Sequence, residues 1–365
     1  MGFVPPPYPY ERLGEVIGLA ARHDGGAIDL SIGTPCDPPP EPVMAALADA
    51  GAARGYPPSV GTPAFRNAAA DWLERRLGAR VDPDGELAAC VGTKEFVASV
   101  PLYLQLRDPS RDTVYYPAVS YPTYEMGAVL AGCRAVPYLD LDEIDDADRV
   151  LAVWVNSPAN PTGELHDLAR AAAWGREHSV PVLSDECYAE FSWSRPPETI
   201  LRTGTEGVLA VHSLSKRDNF AGARIGFYAG DADLVHYLRE VRKHAGLMPP
   251  GPVQAAAVVA LEDDEHVERQ RERYRARLHR LQEVLKAIGY AAHLPDGAFY
   301  LWVEAPDGDA WAAARDIAGK AGVVVSPGEF YGPAGATHVR VAAVAPHDRI
   351  ELAAARVGLE PEIVS

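Results

Sequence analysis

Only four cysteines occur in 365 residues, and Cys36, Cys90, Cys133 and Cys187 stand far apart with no C-x-x-C pair among them. That spacing argues against a disulfide framework or a cysteine-built zinc site and points to a reducing, cytoplasmic setting. Positive charge is also scarce: 34 Lys and Arg face 51 Asp and Glu, a formal net charge of -17. Such a chain has no general attraction for nucleic acid or anionic lipid, so any anion it binds needs a local site. Long apolar runs are missing, and the start "MGFVPPPYPYERLGEV" lacks a basic stretch followed by an apolar core. Neither membrane insertion nor export is expected. Gly2 is not followed by the Ser or Thr that N-myristoylation takes at the sixth position, where Pro6 stands. The run "PPPYPY" reads as an extended arm packing on the body.

What is present suits a folded enzyme. The length allows two lobes, and 47% hydrophobic residues supply enough apolar surface for a large core. Apolar runs bounded by turn residues alternate with helical patterns between about residues 87 and 230: "TVYYP", "RVLAVWVN", "VPVLSDE", "GVLAVHS" and "RIGFYAG". Continuous Val, Leu and Ala runs of this kind predict strands buried on both faces, hence an α/β core with a mostly parallel sheet. After "GLMPPGPVQ" a long helical pattern follows, with Tyr274, Leu278, Leu281, Leu285 and Ile288 spaced four, three, four and three. This lasts only about two heptads, too short for a coiled coil, and predicts a helix lying on a second, smaller lobe. "GAFYLWVE", "GVVVSP" and "THVRVAAV" add short strands to that α+β part.

The densest chemistry lies in "VHSLSKRDNFAGARIG". A lysine amine held near its neutral form is a nucleophile, and its usual use is a Schiff base with a carbonyl compound. Ser213 and Ser215 offer hydroxyls to an anion, and Arg224 offers a cationic fork suited to phosphate, so a phosphate-bearing aldehyde is the expected partner of Lys216. In "CVGTKEF", Gly92 and Thr93 open a helix whose free N–H groups favour a phosphate. "SDECYAEF" places Asp185 at the end of a buried strand with Tyr188 three residues on, where a protonated pyridine nitrogen would be one partner for the carboxylate. In "VNSPANPTGEL" a strand ends in a turn whose Asn160 can offer its amide to an oxygen.

Taken together, Asn160 in N-P-T-G, Asp185 and Tyr188 in D-E-C-Y, Lys216 in S-L-S-K, Arg224 in G-A-R-I-G and Arg340 in "HVRVA" resemble, in order and spacing, the class I and II aminotransferases, which are fold type I pyridoxal 5'-phosphate (PLP) enzymes. The likeness runs from "DLSIGTP" to "HVRVAAV", most of the chain. It implies a large PLP-binding domain over 41–246 and a small domain formed by 1–40 and 247–365. It implies that Lys216 holds PLP and moves a proton between the substrate α-carbon and the cofactor, that Asp185 keeps the pyridine nitrogen protonated, and that Asn160 and Tyr188 hydrogen-bond the ring oxygen. Tyr121 of "YPTY" would stack on the ring, while Thr93, the Lys94 amide, Ser213, Ser215 and Arg224 would hold the phosphate. Arg340 would grip the substrate α-carboxylate, with Gly33 of "SIGTP" and Asn160 beside it. Tyr56 would reach the cofactor phosphate of a neighbouring subunit, implying a homodimer with shared sites. The substrates implied are an amino acid and a 2-oxo acid, with no metal.

Other readings fare less well. S-L-S-K also satisfies the S-x-x-K motif of β-lactamases and penicillin-binding proteins, but their S-D-N and K-T-G partners do not occur. A PLP-binding transcription regulator would need a basic helix-turn-helix before "DLSIGTP", and none precedes it. C-S lysis and decarboxylation stay open, because the same lysine and aspartate serve them all. At a finer level "DLSIGTPCDPPP", "WVNSPANPTG", "SDECYAEF", "VHSLSKRDNFAGARIGF", "VRKHAGLMPPGPVQAA" and "PGEFYGPAGATHVRVA" are similar to actinobacterial N-succinyl-LL-diaminopimelate aminotransferases. That likeness implies exchange of an amino group between N-succinyl-LL-2,6-diaminopimelate and 2-oxoglutarate or glutamate, in diaminopimelate and lysine biosynthesis. These substrates carry a distal carboxylate, so a second cation is expected near the pocket. Arg242, Lys243, His244, Lys94 and Arg217 are the candidates, each also readable as an ordinary solvated charge.

Overall fold

The computed structural model describes residues 3–361, so Gly2 lies outside the described residues. Seven strands form the central sheet, in the spatial order Leu87–Cys90, Gly226–Gly230, Val208–Ser213, Val182–Asp185, Val150–Asn156, Thr113–Pro117, Arg134–Tyr138. Pairing is parallel from Val208–Ser213 through to Arg134–Tyr138. Gly226–Gly230 runs antiparallel to both of its neighbours. Every residue of Val150–Asn156, Val182–Asp185 and Val208–Ser213 is buried, as their unbroken apolar runs require between two helical layers.

All five expected strands form, to within two residues at each end, and two further strands join them. Leu87–Cys90 is four residues long and half alanine, a weak strand signal. Arg134–Tyr138 carries Pro137, tolerated because this strand lies at the sheet edge.

A second, antiparallel sheet joins Ser326–Pro327, His338–Ala342 and Tyr300–Glu304, and Ile28–Asp29 pairs in parallel with Val323–Val324. The helix Asp264–Ala287 turns Tyr274, Leu278, Leu281 and Leu285 into the same core as Phe299, Leu301 and Val341. The 4-3-4 spacing therefore serves one helix face on a globular core. Asp263 caps this helix by accepting from His266 N at 3.1 Å. The proline-rich start runs extended into a short 3-10 turn, Pro9–Leu13. Among the described residues no helix is long and apolar enough to cross a membrane, and no cluster of metal-ligating side chains occurs.

Candidate active site

The parallel strands all end at one edge of the sheet, and register puts Asn156 beside Asp185, and Asp185 beside Val211. Asp185 is buried at this edge. Its Oδ1 accepts from Cys187 N at 3.1 Å and its Oδ2 from the Tyr124 hydroxyl at 2.8 Å. Burial pushes the carboxyl above its ordinary range, those two donors only partly offsetting it. Among the described residues it has no ion pair, so the carboxylate has room for a cationic partner. Asn156, absent from the expected set, donates to Asp185 O at 2.8 Å and accepts from Asn160 N at 2.8 Å, fixing the turn that carries Asn160.

Lys216 follows immediately. Ser213 ends its strand and caps the short helix Leu214–Arg217, its Oγ accepting from Ser215 N at 3.1 Å. The helix aims Lys216 Nζ at the Gly33 carbonyl, to which it donates, and 5.9 Å from the centre of the Phe299 ring. Burial first and the Arg340 charge second push the amine down to about 8. The nucleophilic neutral form is therefore accessible at mildly alkaline pH.

A cationic corner lies next to this lysine. Ser213, Gly226 and Cys90 stand side by side across three strands, and Thr93 begins the helix Thr93–Arg107 just beyond Cys90. Gly92 precedes that helix at φ +76°, and a Cβ on it would lie 2.2 Å from Arg224 Nη2. The guanidinium of Arg224 thus presses against the helix start, held by a 2.8 Å hydrogen bond from its Nη1 to Ala221 O. Cys187 Sγ donates to Thr93 Oγ1 at 3.3 Å, tying this corner to the Asp185 loop. Backbone N–H groups of the helix start and the Arg224 guanidinium meet where the helix dipole is positive, with Ser213 in register beyond Gly226.

Across the cleft Arg340 is 2% exposed. Its Nη1 donates to Asn160 Oδ1 at 2.7 Å and its Nη2 to Ser31 O at 2.6 Å, while its buried Nε has no partner. The guanidinium lies 4.2 Å from the Tyr300 ring centre and 4.7 Å from that of Tyr331. Tyr300 and Tyr188 share a 2.6 Å hydrogen bond through their hydroxyls, and a Cβ on Gly33 would lie 2.1 Å from the Tyr300 hydroxyl. Only glycine fits there. Tyr121 packs edge-on to Tyr124 at 5.9 Å, close enough to Asp185 for the carboxylate to add to the upward push that burial gives its phenol.

Tyr56, expected at a neighbouring subunit's site, is not drawn to this cleft: it is 95% exposed. Tyr124, Asn156, Tyr300 and Tyr331 are functional neighbours that sequence reasoning missed. Tyr124 stands in the quoted "YPTY", where its i+3 spacing from Tyr121 was the available signal.

The distal cation candidates need correction. Arg242 is buried against Glu95, with Nη2 to Oε2 at 2.6 Å, and Arg217 is buried among Glu190, Asp218 and Asp264. Each neutralises an internal carboxylate, so neither is a free cation nor a solvated surface charge. Lys243 is exposed with Glu240 at 3.8 Å, and His244 is exposed at the end of its helix. Lys94 is exposed, its ammonium 5.4 Å from the centre of the Tyr8 ring.

A sheet between helical layers with a half-buried lysine, a carboxylate without an ion pair and a cationic corner at its carboxyl edge defines an α/β enzyme of the PLP-dependent, fold type I class. The family is established by comparison: the model for aminotransferase class I and II matches residues 26–357, and the chain belongs to that PLP-dependent family. It is 44% identical over 360 residues to the 4-dedimethylamino-4-oxo-anhydrotetracycline transaminase OxyQ of Streptomyces rimosus, covering 96% of this chain and 99% of the relative. It is 34% identical to the LL-diaminopimelate aminotransferase of Aquifex aeolicus, covering 96% of each. Among solved structures, a probable N-succinyldiaminopimelate aminotransferase from Thermus thermophilus superposes with a TM-score of 0.84 at 30% identity, over 95% of this chain and 98% of that one.

Proposed function

We propose that this aminotransferase exchanges an amino group between N-succinyl-LL-2,6-diaminopimelate and the 2-oxoglutarate/glutamate pair. The observation that carries an α-amino acid substrate is Arg340, a buried guanidinium with an unpartnered Nε at the cleft wall opposite Lys216. The succinylated substrate is supported by the motif likeness in six segments and by the 30% identity to the Thermus thermophilus protein of that description.

The residues fit PLP. Asp185 would face the ring nitrogen, since it is a buried carboxylate lacking a cation; Tyr121 would cover one ring face, and Asn160 with Tyr188 would reach the ring oxygen. Thr93, the Lys94 amide, Ser213, Ser215 and Arg224 would hold the phosphate, the Gly92 and Arg224 packing leaving that corner shaped for it. PLP, when bound, supplies an electron-withdrawing ring that lowers the energy of negative charge at the substrate α-carbon. Lys216 Nζ takes the proton from that carbon, a role suited to an amine brought down to about 8. Arg340 fixes the α-carboxylate, and Tyr300 and Tyr331 on its faces exclude water from the pair.

We extend this to a cytoplasmic homodimer in which Tyr56, 95% exposed on its own chain, completes the neighbour's phosphate site. The division into domains over 41–246 and over 1–40 with 247–365 is proposed in the same terms.

A second reading is favoured by the 44% identity to the Streptomyces rimosus transaminase, whose name specifies an oxo-anhydrotetracycline. There the amino acceptor would be a fused-ring ketone. The deciding experiment adds N-succinyl-LL-2,6-diaminopimelate to the yellow PLP-loaded enzyme without any keto acid, beside a panel of free amino acids. Bleaching of the visible band by the succinylated compound well ahead of the panel, glutamate apart, is the expected result. Bleaching by other amino acids only discards this substrate and keeps the aminotransferase.

A further inference from the structure

Lys216 sits on a helix of only four residues, Leu214–Arg217, closed by a hydrogen bond from Asp218 N to Leu214 O at 3.1 Å. A single turn has no stability of its own, so its orientation has to come from tertiary contacts. Adjacent helical residues point about 100° apart around the axis, so the contacts that hold Arg217 also fix the direction in which Lys216 leaves the helix.

Arg217 is held from several elements at once. Its Nη1 donates to Asp218 Oδ1 at 2.5 Å and to Ala260 O at 2.7 Å, its Nη2 to Asp264 Oδ1 at 3.3 Å, and its Nε to Glu190 Oε1 at 3.4 Å. The Arg217 side chain is 5% exposed and that of Glu190 3%. Glu190 belongs to the turn Ala189–Phe191, two residues beyond Tyr188, and Phe191 N donates to Tyr188 O at 2.8 Å. From the far side Trp72 Nε1 donates to Glu190 Oε1 and Arg76 Nη2 to Glu190 Oε2, both at 2.9 Å. Burial by itself would raise the Glu190 carboxyl, but the Arg217 and Arg76 charges outweigh it and hold the group below its ordinary range. One partner of this pair therefore lies next to Lys216 in the chain and the other two residues from Tyr188. Their remaining contacts run to the helices Pro63–Leu77, Gly251–Glu262 and Asp264–Ala287. A buried ion pair is weak evidence of added stability, and its best attested use is to fix register.

We infer that the Glu190–Arg217 pair is a positioning device that sets Lys216 against Tyr188 for the reaction, without touching substrate or cofactor. Arg217 fixes the rotation of the Lys216 helix, Glu190 fixes the turn that follows Tyr188, and the pair locks the two together. The planar fork is needed, since contacts in several directions exceed what a point-like ammonium can hold in one geometry. This inference rests on the roles given to Lys216 and Tyr188 above.

The test uses Glu190→Gln, Arg217→Lys and the double variant, each read in three ways. These are denaturant unfolding, the rate at which PLP-free enzyme takes up PLP into the coloured form, and the bleaching of PLP-loaded enzyme by whichever amino acid bleaches the wild type fastest. Both single variants should slow colour formation, and slow bleaching at saturation, by about tenfold or more, the scale of a small misplacement of a reacting group. The half-saturating concentration should stay within about twofold, since no substrate contact is removed. The double variant should be no slower than the slower single one, because residues that act as a unit are not additive. Variants that unfold more easily but take up PLP and bleach at wild-type rates overturn the inference, since the pair would then serve the fold alone. So do losses that multiply in the double variant, which would mean that the two residues act separately. If Arg217→Lys does not fold, the rates of Glu190→Gln decide by the same criterion. Lys216→Ala tells the two levels apart: transamination by it near the wild-type rate removes the reading of Lys216 and the positioning role with it. An inactive Lys216→Ala beside pair variants of wild-type rate overturns the pair alone.

Discussion

The Tyr124 hydroxyl donates to Asp185 Oδ2 at 2.8 Å, with both groups buried and the tyrosine ring stacked on Trp154 at 4.9 Å. The stacking fixes the ring, so the hydroxyl can only point at the carboxylate. This hydrogen bond opposes the burial that raises the Asp185 carboxyl and fixes where the carboxylate points.

Tyr124→Phe should therefore act on chemistry more than on folding. The ring and its stacking survive, while Asp185 loses one of two donors, a loss of about 1.5–3 kcal/mol for a hydrogen bond to a charged group. Turnover should drop about tenfold or more, with a melting temperature within a few degrees of wild type. An unchanged kcat would mean that the Cys187 amide alone suffices to hold the carboxylate.

Gly92→Ala addresses the cationic corner. At φ +76° any side chain is strained, and the added Cβ would sit 2.2 Å from Arg224 Nη2, so the guanidinium must leave the helix start. PLP affinity should fall at least about tenfold, the scale of one lost charge-assisted contact. Equilibrium dialysis against PLP reads it. Retention of full affinity would show that Arg224 is not a phosphate ligand.

Much of this was legible in the sequence because strand ends and helix starts carry polar residues that an apolar core cannot otherwise explain. Asp185 and Ser213 were found that way, each closing a buried strand, with Lys216 three residues beyond Ser213. The partners were not, since a tyrosine such as Tyr124 or Tyr300 reads as core until the fold shows where its hydroxyl points. Arg217 and Arg242 were misjudged for a related reason. A charged residue in sequence gives no sign that a distant carboxylate, Asp264 or Glu95, will be buried against it. The antiparallel course of Gly226–Gly230 was hidden as well, because a strand buried on both faces shows the same apolar run in either direction.

Lys216 gives a prediction in pH. Its amine is held at about 8 in the folded chain against an ordinary 10.5. Below about 8 the folded and unfolded chains both hold the proton, and the cost of burying the charge is fully felt. Between about 8 and 10.5 the unfolded chain keeps the proton that the folded chain has released, so stability rises with pH. Denaturant unfolding of PLP-free enzyme should show that rise, and Lys216→Met should flatten it. Lys216→Ala should still bind PLP through the phosphate corner but lose nearly all turnover. Transamination near the wild-type rate would sink the assignment of Lys216.

Arg340→Lys separates substrate binding from cofactor binding. The arginine uses Nη1 and Nη2 on Asn160 and Ser31 and keeps Nε free, between two aromatic faces. A lysine ammonium is a single point with no planar fork, so it cannot hold those two acceptors and also meet a carboxylate side-on. The KM for the amino substrate should therefore rise about a hundredfold, the scale of losing a bidentate charged contact worth about 3 kcal/mol. PLP affinity should stay within about twofold, because the phosphate corner and Asp185 lie on other elements and changes at separate sites act independently. The contrast between KM and PLP affinity is the readout. If both fall together, Arg340 shapes the whole cleft through Asn160, and the substrate carboxylate must be sought elsewhere.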